Sequence, residues 1–342
     1  MAIHLKKIVQ KKTLIYGGGA IGSYLASCLV KSNHKIFFLC RKDNYKIIKS
    51  KGLTLRIYNN SVFKKKIKLL QSKNFRVINN LKGLKNFKFD NIFITTKINQ
   101  NLKKIFKNIE LHINNKTLII TPCTAIPFWW YKCLNSNLQE KFEKNLYYLY
   151  LKNIKRKNLV GMTMWLSGRI KTPGEVIISH VQRGFPIKEV FDEKKMQVDR
   201  LRQDLKKSTL SPKINNIFFE IFSKSLNSLA FNMVALKYQQ NNKGLSKNTN
   251  SINDVLNIMK EGDKILKTNN IKIFQSPTSR IKQTLKSKNH TMSMLYAYQN
   301  NKEIELDHLW KSFVTLTEVI RYNMKFTKKI YNFVSKKING SF

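Results

Sequence analysis

The stretch that decides the fold reads TLIYGGGAIGSYLASCLV, over residues 13–30. A short strand-like run leads directly into consecutive glycines, and residues 20–31 then follow a helical pattern. Gly17, Gly19 and Gly22 form the spacing GxGxxG. In a strand–turn–helix, the first glycine permits the tight turn, the second lets another group approach the backbone, and the third lets the helix pack on the strand. The stretch therefore predicts a strand, a glycine turn and a helix.

A turn of this kind can hold phosphates. Its backbone N–H groups and the positive end of the helix dipole both attract an anion. A glycine-rich turn with no ligand is the alternative interpretation, but a preceding strand and a following helix favour a nucleotide. The predicted nucleotide-binding residues are Gly17, Gly18, Gly19, Ala20, Ile21 and Gly22.

The end of the second predicted strand, residues 35–40, indicates which dinucleotide binds. An NAD site places Asp or Glu there to hold the ribose hydroxyls. This chain instead has Arg41 and Lys42, which suit the 2′-phosphate of NADP. Arg41 could also belong to the general basic background, although an arginine in so lysine-rich a chain favours a functional role.

The length and composition of the chain limit its fold class and its number of domains. A chain of 342 residues with 42% hydrophobic residues can bury a full core and is long enough for two domains. Its formal net charge is +45, which alone would indicate a nucleic-acid or membrane partner. Because Lys is mixed with Asn and Ile throughout, we interpret the charge as a compositional bias. We expect no specific nucleic-acid partner and no membrane partner, with weak, salt-sensitive polyanion binding left open.

The cysteine pattern indicates a reducing compartment, and the uncharged stretch near the amino terminus is interpreted as part of the fold. The chain has four cysteines with no CxxC and no His at ligand spacing, so neither a metal site nor a disulfide framework is expected. Residues 13–30 lack charge but contain a glycine cluster, which is unfavourable in a membrane helix or a signal peptide. We therefore expect a cytoplasmic protein.

The first half of the chain alternates strand and helix patterns, as in a parallel sheet. Alternating patterns at residues 159–165, 175–180 and 185–189 predict antiparallel strands added to the far side of that sheet. After Pro212 the pattern becomes helical, in segments that include residues 214–239 and 307–338. The predicted fold is α/β: a Rossmann-type amino-terminal domain followed by an all-helical carboxy-terminal domain. Their predicted limits are residues 1–208, with 1–12 as a basic extension, and residues 209–342.

One helical segment carries polar residues on a single face. Lys224, Ser228 and Asn232 are spaced i, i+4, i+8 beside apolar residues such as Phe222 and Leu226. A lysine next to a buried apolar surface can have its pKa lowered toward the range of a general acid. A lysine whose stem extends to water is the alternative.

These motifs together resemble the ketopantoate reductases (2-dehydropantoate 2-reductases), from about residue 13 to about residue 333. The matching segments occur in the family's order: GGGAIGSYLA (17–26), FFLCR (37–41), ITTK (94–97), AIPFWWY (125–131), PGEVIISH (173–180), EIFSKSLNSLAFN (220–232) and MSMLYAYQNNKEIELD (292–307). The resemblance implies an active site between the two domains.

The resemblance also implies residue roles. Lys224 is the implied general acid, and Glu305 the carboxylate that orients it. The implied NADPH-binding residues are those of the glycine turn with Arg41, Lys97 and Thr124. The implied substrate-binding residues are Ser228, Asn232 and Ser293.

Several positions depart from the family pattern. Thr124 and Ser228 stand where the family usually has Asn, Met233 replaces a Pro, and Ala297 replaces an acidic residue. Thr and Ser are shorter than Asn and lack its paired donor and acceptor. The shortened side chains put the identity of the substrate in more doubt than the cofactor.

The resemblance implies NADPH-dependent reduction of 2-dehydropantoate to pantoate, in pantothenate and coenzyme A biosynthesis. Reduction of another small 2-oxo acid and a catalytically decayed NADP-binding protein of the same fold remain alternatives. The sequence does not decide whether the protein forms a homodimer.

Overall fold

The computed structural model describes residues 10–59, 62–96, 102–122, 124–142 and 154–340. The chain forms two compact units, residues 1–122 with 150–214, and residues 123–149 with 215–342. The strands of the first unit are β1 (Lys11–Tyr16), β2 (His34–Leu39), β3 (Leu53–Asn59), β4 (Val62–Leu69), β5 (Phe75–Ile78), β6 (Asn91–Ile94), β7 (Leu118–Pro122), β8 (Leu159–Met162), β9 (Trp165–Thr172), β10 (Glu175–Gly184) and β11 (Ile187–Glu189). Its helices are α1 (Ala20–Val30), α2 (Lys42–Lys51), α3 (Leu102–Ile109) and α5 (Lys195–Lys206); the helix between the last two in sequence, α4 (Ser136–Phe142), belongs to the second unit.

The main sheet has the order β11-β8-β7-β6-β1-β2-β5. Six of these strands run parallel, and β11 pairs antiparallel with β8 at one edge. The parallel strands follow the order β5-β2-β1-β6-β7-β8, which is the strand order of dinucleotide-binding sheets, with β1 beside β6 at the centre. Every residue of β6 and β7 is buried, as expected for parallel strands covered on both faces. The predicted Rossmann-type domain is confirmed.

A second sheet, with the order β4-β3-β10-β9, corrects the sequence prediction. Residues 175–180 do not extend the main sheet, because β10 pairs parallel with β3 and antiparallel with β9. This pairing buries alternate residues, among them Leu55 and Val176, in one core with α1 and the main sheet. Gly168 lets β9 lie close to β10, since a Cβ there would lie 2.8 Å from the Cδ1 of Ile178 and 3.2 Å from the Ile177 carbonyl oxygen. Residues 159–162 form β8, which is parallel rather than antiparallel to its neighbour β7.

The division between the units differs from the limits 1–208 and 209–342. Residues up to 214 stay with the first unit, where the Phe185 amide donates to the Leu210 carbonyl and the Ser211 hydroxyl to the Phe185 carbonyl. Residues 123–149 belong to the second unit. There the indole N–H of Trp130 donates to the Phe218 carbonyl at 2.8 Å.

All the described elements of the second unit are helical, which confirms the predicted helical domain. They are α4 (Ser136–Phe142), α6 (Ile217–Tyr238), α7 (Asn242–Lys247), α8 (Thr249–Thr268), α9 (Pro277–Leu285), α10 (Ser293–Gln299), α11 (Leu306–Val319) and α12 (Lys325–Ile338), with short 3₁₀ turns between some of them. The predicted helical segment over residues 307–338 is helical but not continuous, because it forms the two helices α11 and α12. Arg321 has a φ of 53°, a left-handed conformation that ends one helix before the next begins.

The 22-residue helix α6 lies at the centre of this unit. The Asn216 side chain accepts a hydrogen bond from the Phe219 amide and so caps its amino terminus. Most α6 residues are buried, and the Phe222 ring packs against Phe313 of α11. Among the described residues, no helix is long and apolar enough to cross a membrane.

Candidate active site

The glycines of the turn after β1 serve two different purposes. Gly17 has a φ of +131°, which strongly favours glycine, and its amide donates to the Leu39 carbonyl at 3.1 Å. A Cβ on Gly22 would overlap the Gly17 carbonyl oxygen, and one on Gly18 would overlap the Cβ of Cys40. These three glycines are therefore required by the packing of the chain itself.

Gly19 is different, because a Cβ placed on it would meet nothing within 4 Å. It immediately precedes α1, its φ is an ordinary −80°, and no described side chain caps the helix. The first turn of α1 also contains no acidic residue. Open space beside a helix amino terminus fits a phosphate that approaches the backbone closely. The turn therefore fits the pyrophosphate of a dinucleotide.

Arg41 lies immediately before α2, at the end of β2, and is exposed. Within the described part of the chain, its guanidinium forms no hydrogen bond or ion pair. The buried Cys40 precedes it, so the position of the ribose-binding acid of NAD sites holds no carboxylate. An exposed guanidinium at this place fits a 2′-phosphate.

Asn44 is a residue that sequence reasoning missed. Its amide nitrogen donates to the Gly18 carbonyl at 3.5 Å, and its side-chain oxygen accepts from the Gly174 amide at 3.3 Å. The side chain thereby links α2 to the glycine turn and to the β9–β10 turn. The sequence gives no signal for this role of Asn44, because its partner Gly174 lies 130 positions away in the chain. Lys97 lies outside the described residues; just before it, the Thr95 hydroxyl donates to the Gly17 carbonyl at 2.8 Å.

Lys224 lies on α6 between buried apolar residues and is itself half-buried. Burial lowers the pKa of Lys224 to about 8. At pH 7 roughly 90% of such an amine is protonated, and it loses its proton more readily than an exposed lysine. Lys224 therefore has the acidity that a general acid needs near neutral pH.

Hydrogen bonds bring Ser228, Asn232 and Ser293 together. The Asn232 side-chain nitrogen donates to the Ser228 carbonyl at 2.7 Å and to its hydroxyl at 3.2 Å. The Asn232 side-chain oxygen accepts from the Met294 amide at 3.0 Å and from the Ser293 hydroxyl at 3.5 Å. Asn232 is only 3% exposed, and its hydrogen bond with the Met294 amide holds the start of α10 in place. Ser293, by contrast, is exposed.

Glu305 and Thr124 both belong to the second unit. Glu305 is half-buried and immediately precedes α11. Burial lowers the pKa of His308, and the negative charge of Glu305 acts in the opposite direction. His308 lies three positions after Glu305, and this spacing in the sequence could have indicated that the two side chains influence each other. Thr124 is exposed and belongs to the second unit rather than the first. The pairing of Glu305 with Lys224 stays a prediction.

The described residues contain no group of three or more His, Cys, Asp or Glu side chains that could hold a metal ion. The open glycine turn and the half-buried lysine of lowered pKa are typical of a nicotinamide-dependent oxidoreductase built from a dinucleotide-binding domain and a helical domain.

Comparison with known families supports this class and narrows it. Residues 13–122 match the family described as ketopantoate reductase PanE/ApbA, and residues 216–338 match ketopantoate reductase PanE/ApbA C terminal. The chain belongs to the ketopantoate reductase family. No curated protein sequence matches it.

Solved structures show the same fold at low sequence identity. A 2-dehydropantoate 2-reductase from Geobacter metallireducens GS-15 is 16% identical, with a TM-score of 0.75 over 95% of this chain and 99% of that one. A PanE/ApbA family ketopantoate reductase from Ralstonia eutropha JMP134 is 13% identical, with a TM-score of 0.71 over 96% and 99%. A D-mandelate dehydrogenase in complex with NADH and anilino(oxo)acetate is 18% identical, with a TM-score of 0.75 over 96% and 98%.

Proposed function

We propose that this protein is an NADPH-dependent reductase of a 2-oxo acid in the cytoplasm. The first candidate substrate is 2-dehydropantoate, whose reduction gives pantoate for pantothenate and coenzyme A biosynthesis. The observation that carries the proposal is the half-buried Lys224, whose pKa is about 8, in a chain that also has an open glycine turn followed by Arg41. A protein that only bound a nucleotide would not need a lysine of lowered pKa on a polar helix face.

The residues of the first unit fit the cofactor. The backbone of residues 17–22 would hold the pyrophosphate, and the Arg41 guanidinium would bind the 2′-phosphate. By its place in the family motif, Lys97 would also contact the cofactor. When bound, NADPH supplies the hydride that reduces the substrate carbonyl carbon.

The residues of the second unit would act on the substrate. The Nζ of Lys224 would donate its proton to the former carbonyl oxygen as negative charge develops there, and its positive charge would stabilise that oxygen beforehand. The exposed Ser293 hydroxyl would bind the substrate carboxylate, and Asn232 would keep Ser293 in position through α10. Glu305 would orient the substrate and Lys224.

The substrate need not be 2-dehydropantoate. Ser228 is shorter than the Asn usual in the family, and its hydroxyl already interacts with Asn232. The D-mandelate dehydrogenase of the same fold is bound to anilino(oxo)acetate, a 2-oxo compound of a different shape. These facts support the alternative of another 2-oxo acid.

The test is NADPH oxidation by the purified protein with a panel of 2-oxo acids that includes 2-dehydropantoate and an aromatic 2-oxo acid. We expect turnover with at least one of them, with NADPH preferred over NADH. NADPH binding without turnover of any panel member would support the catalytically decayed alternative.

A further inference from the structure

The outer face of the four-stranded sheet carries a cluster that the proposed reductase does not use. In the pairing of β3 with β4, Arg56 lies opposite Lys66 and Tyr58 opposite Phe63. Directly opposite residues on antiparallel strands share a face. The alternate residues Leu55 and Ile57 are buried, so Arg56 and Tyr58, with the residues opposite them on β4, point to the outer side of the sheet. We call Arg56, Tyr58, Phe63, Lys66 and Lys68 the basic sheet face.

The charge of these strands is one-sided. The sequences of β3, β4, β9 and β10 contain eight Lys or Arg residues and one acidic residue, Glu175. Glu175 pairs with Arg56 at 2.5 Å and with Lys171 at 3.8 Å, so its charge is already balanced. Lys66 and Lys68 are exposed, and Arg56 is half-buried. Of the cations on the basic sheet face, the exposed Lys66 and Lys68 leave a net positive charge that attracts a polyanion.

Aromatic rings lie beside these cations. Phe63 is 51% exposed and its neighbour Val62 57% exposed. The rings of Phe63 and Tyr58 are 5.6 Å apart at an interplanar angle of 71°. Exposed rings among basic residues on a sheet are the combination on which nucleic-acid bases stack while cations bind the phosphates.

Two simpler explanations account for only part of the cluster. Lysines on an edge strand such as β4 prevent it from pairing with another sheet, but that role does not require an exposed Phe63. A general lysine bias explains the lysines, and the ion pair with Glu175 explains Arg56, but neither explains the two aromatic rings on the same face. We propose that the basic sheet face binds single-stranded nucleic acid, with phosphates on Lys66 and Lys68 and bases on Phe63 and Tyr58.

The test uses a labelled oligouridine of about 15 nucleotides, a length within the range that single-strand-binding surfaces cover, and fluorescence anisotropy over a series of salt concentrations. The variant K66E/K68E is compared with K328E/K329E, which changes two exposed lysines of α12 and gives the same net charge. We expect K66E/K68E to weaken binding at least about tenfold and the control about threefold or less. Phe63→Ala should weaken it about fivefold or more, because stacking is lost.

Equal losses in the two lysine variants would overturn the proposal, because binding would then depend only on total charge. Equal affinity for a duplex of the same length, with no effect of Phe63→Ala, would also overturn it, and so would binding only to phosphatidylserine vesicles. NADPH affinity and circular dichroism of each variant report whether the fold is intact. If K66E/K68E does not fold, Lys66→Gln and its control Lys328→Gln make the same comparison.

Discussion

The glycine turn after β1 and the polar face of α6 are built from different kinds of groups. The turn offers backbone amides and empty space, and three of its glycines are required by the chain's own packing. The α6 face offers side chains, of which Asn232 is committed to α10 and Ser228 is shorter than the family's usual Asn. A backbone site changes little when side chains are replaced, whereas a side-chain site changes with each substitution. We therefore expect cofactor binding to be retained more faithfully than substrate specificity.

The largest effect that separates the two regions is expected for Lys224→Ala. Removing the proton donor should lower kcat about 10²–10⁴-fold, while the NADPH Kd changes far less because residues 17–22 and Arg41 hold the phosphates. Lys260→Ala, an exposed lysine of α8, is the matched control and should leave both values unchanged. Parallel losses of kcat and NADPH affinity in Lys224→Ala would show that the lysine is structural.

The pH dependence should follow Lys224 rather than the turn. Burial lowers its pKa to about 8, and only the protonated form donates, so kcat should fall as pH rises through about 8. Above that value the decline should approach about tenfold per pH unit, while NADPH binding is unchanged over the same interval. In Lys224→Arg, whose guanidinium stays protonated, the decline should disappear. If kcat of Lys224→Arg declined at the same pH, the pH dependence would have to come from a group other than Lys224.

In the turn region, Arg41→Asp should reverse the preference between cofactors. NADPH should bind the unmutated protein at least about tenfold more tightly than NADH, since a charge-assisted contact contributes about 1.5–3 kcal/mol. The Asp would repel the 2′-phosphate and accept hydrogen bonds from the ribose hydroxyls of NADH. Titration with both cofactors measures the effect, and equal affinity in the unmutated protein would contradict it.

Gly19→Ala and Gly22→Ala separate the two purposes of the glycines. An Ala at position 19 has room and an ordinary φ, so the free energy of unfolding should change by less than about 1 kcal/mol while NADPH affinity falls about tenfold. An Ala at position 22 would overlap the Gly17 carbonyl, so the fold itself should be destabilised. Thermal unfolding and NADPH titration of both variants make the comparison. Unchanged NADPH affinity in Gly19→Ala would contradict the prediction that a cofactor phosphate lies beside Gly19.

The smallest effects are expected where Asn is restored at position 124 or 228. If the shorter side chains weaken substrate holding, either variant should raise kcat/KM toward 2-dehydropantoate a few-fold, with NADPH affinity nearly unchanged for Ser228→Asn. Steady-state kinetics with 2-dehydropantoate measures the effect. A loss of activity in both variants would indicate that the site is adapted to another 2-oxo acid.

The features predicted from the sequence depend on residues close together in the chain. The turn, Arg41 and the α6 face each lie within one short segment whose pattern is visible locally. The second sheet was missed because it pairs strands far apart, with Arg56 and its partner Glu175 separated by 119 positions. The strand β4 carries a run of lysines with no clear alternation, and Arg321 ends a helix without a glycine or proline. The use of Asn232 to hold α10 depends on a contact 62 positions away and leaves no local pattern.

The most direct test of the proposed reaction is to follow the hydride itself. The protein is incubated with NADPH deuterated at the transferable position of nicotinamide C4 and the 2-oxo acid that it turns over fastest, and the hydroxy acid product is analysed by mass spectrometry. We expect the product to carry deuterium at C2, with its formation strongly reduced in Lys224→Ala. A hydroxy acid without deuterium, or no product with any 2-oxo acid, would contradict the assignment as a reductase.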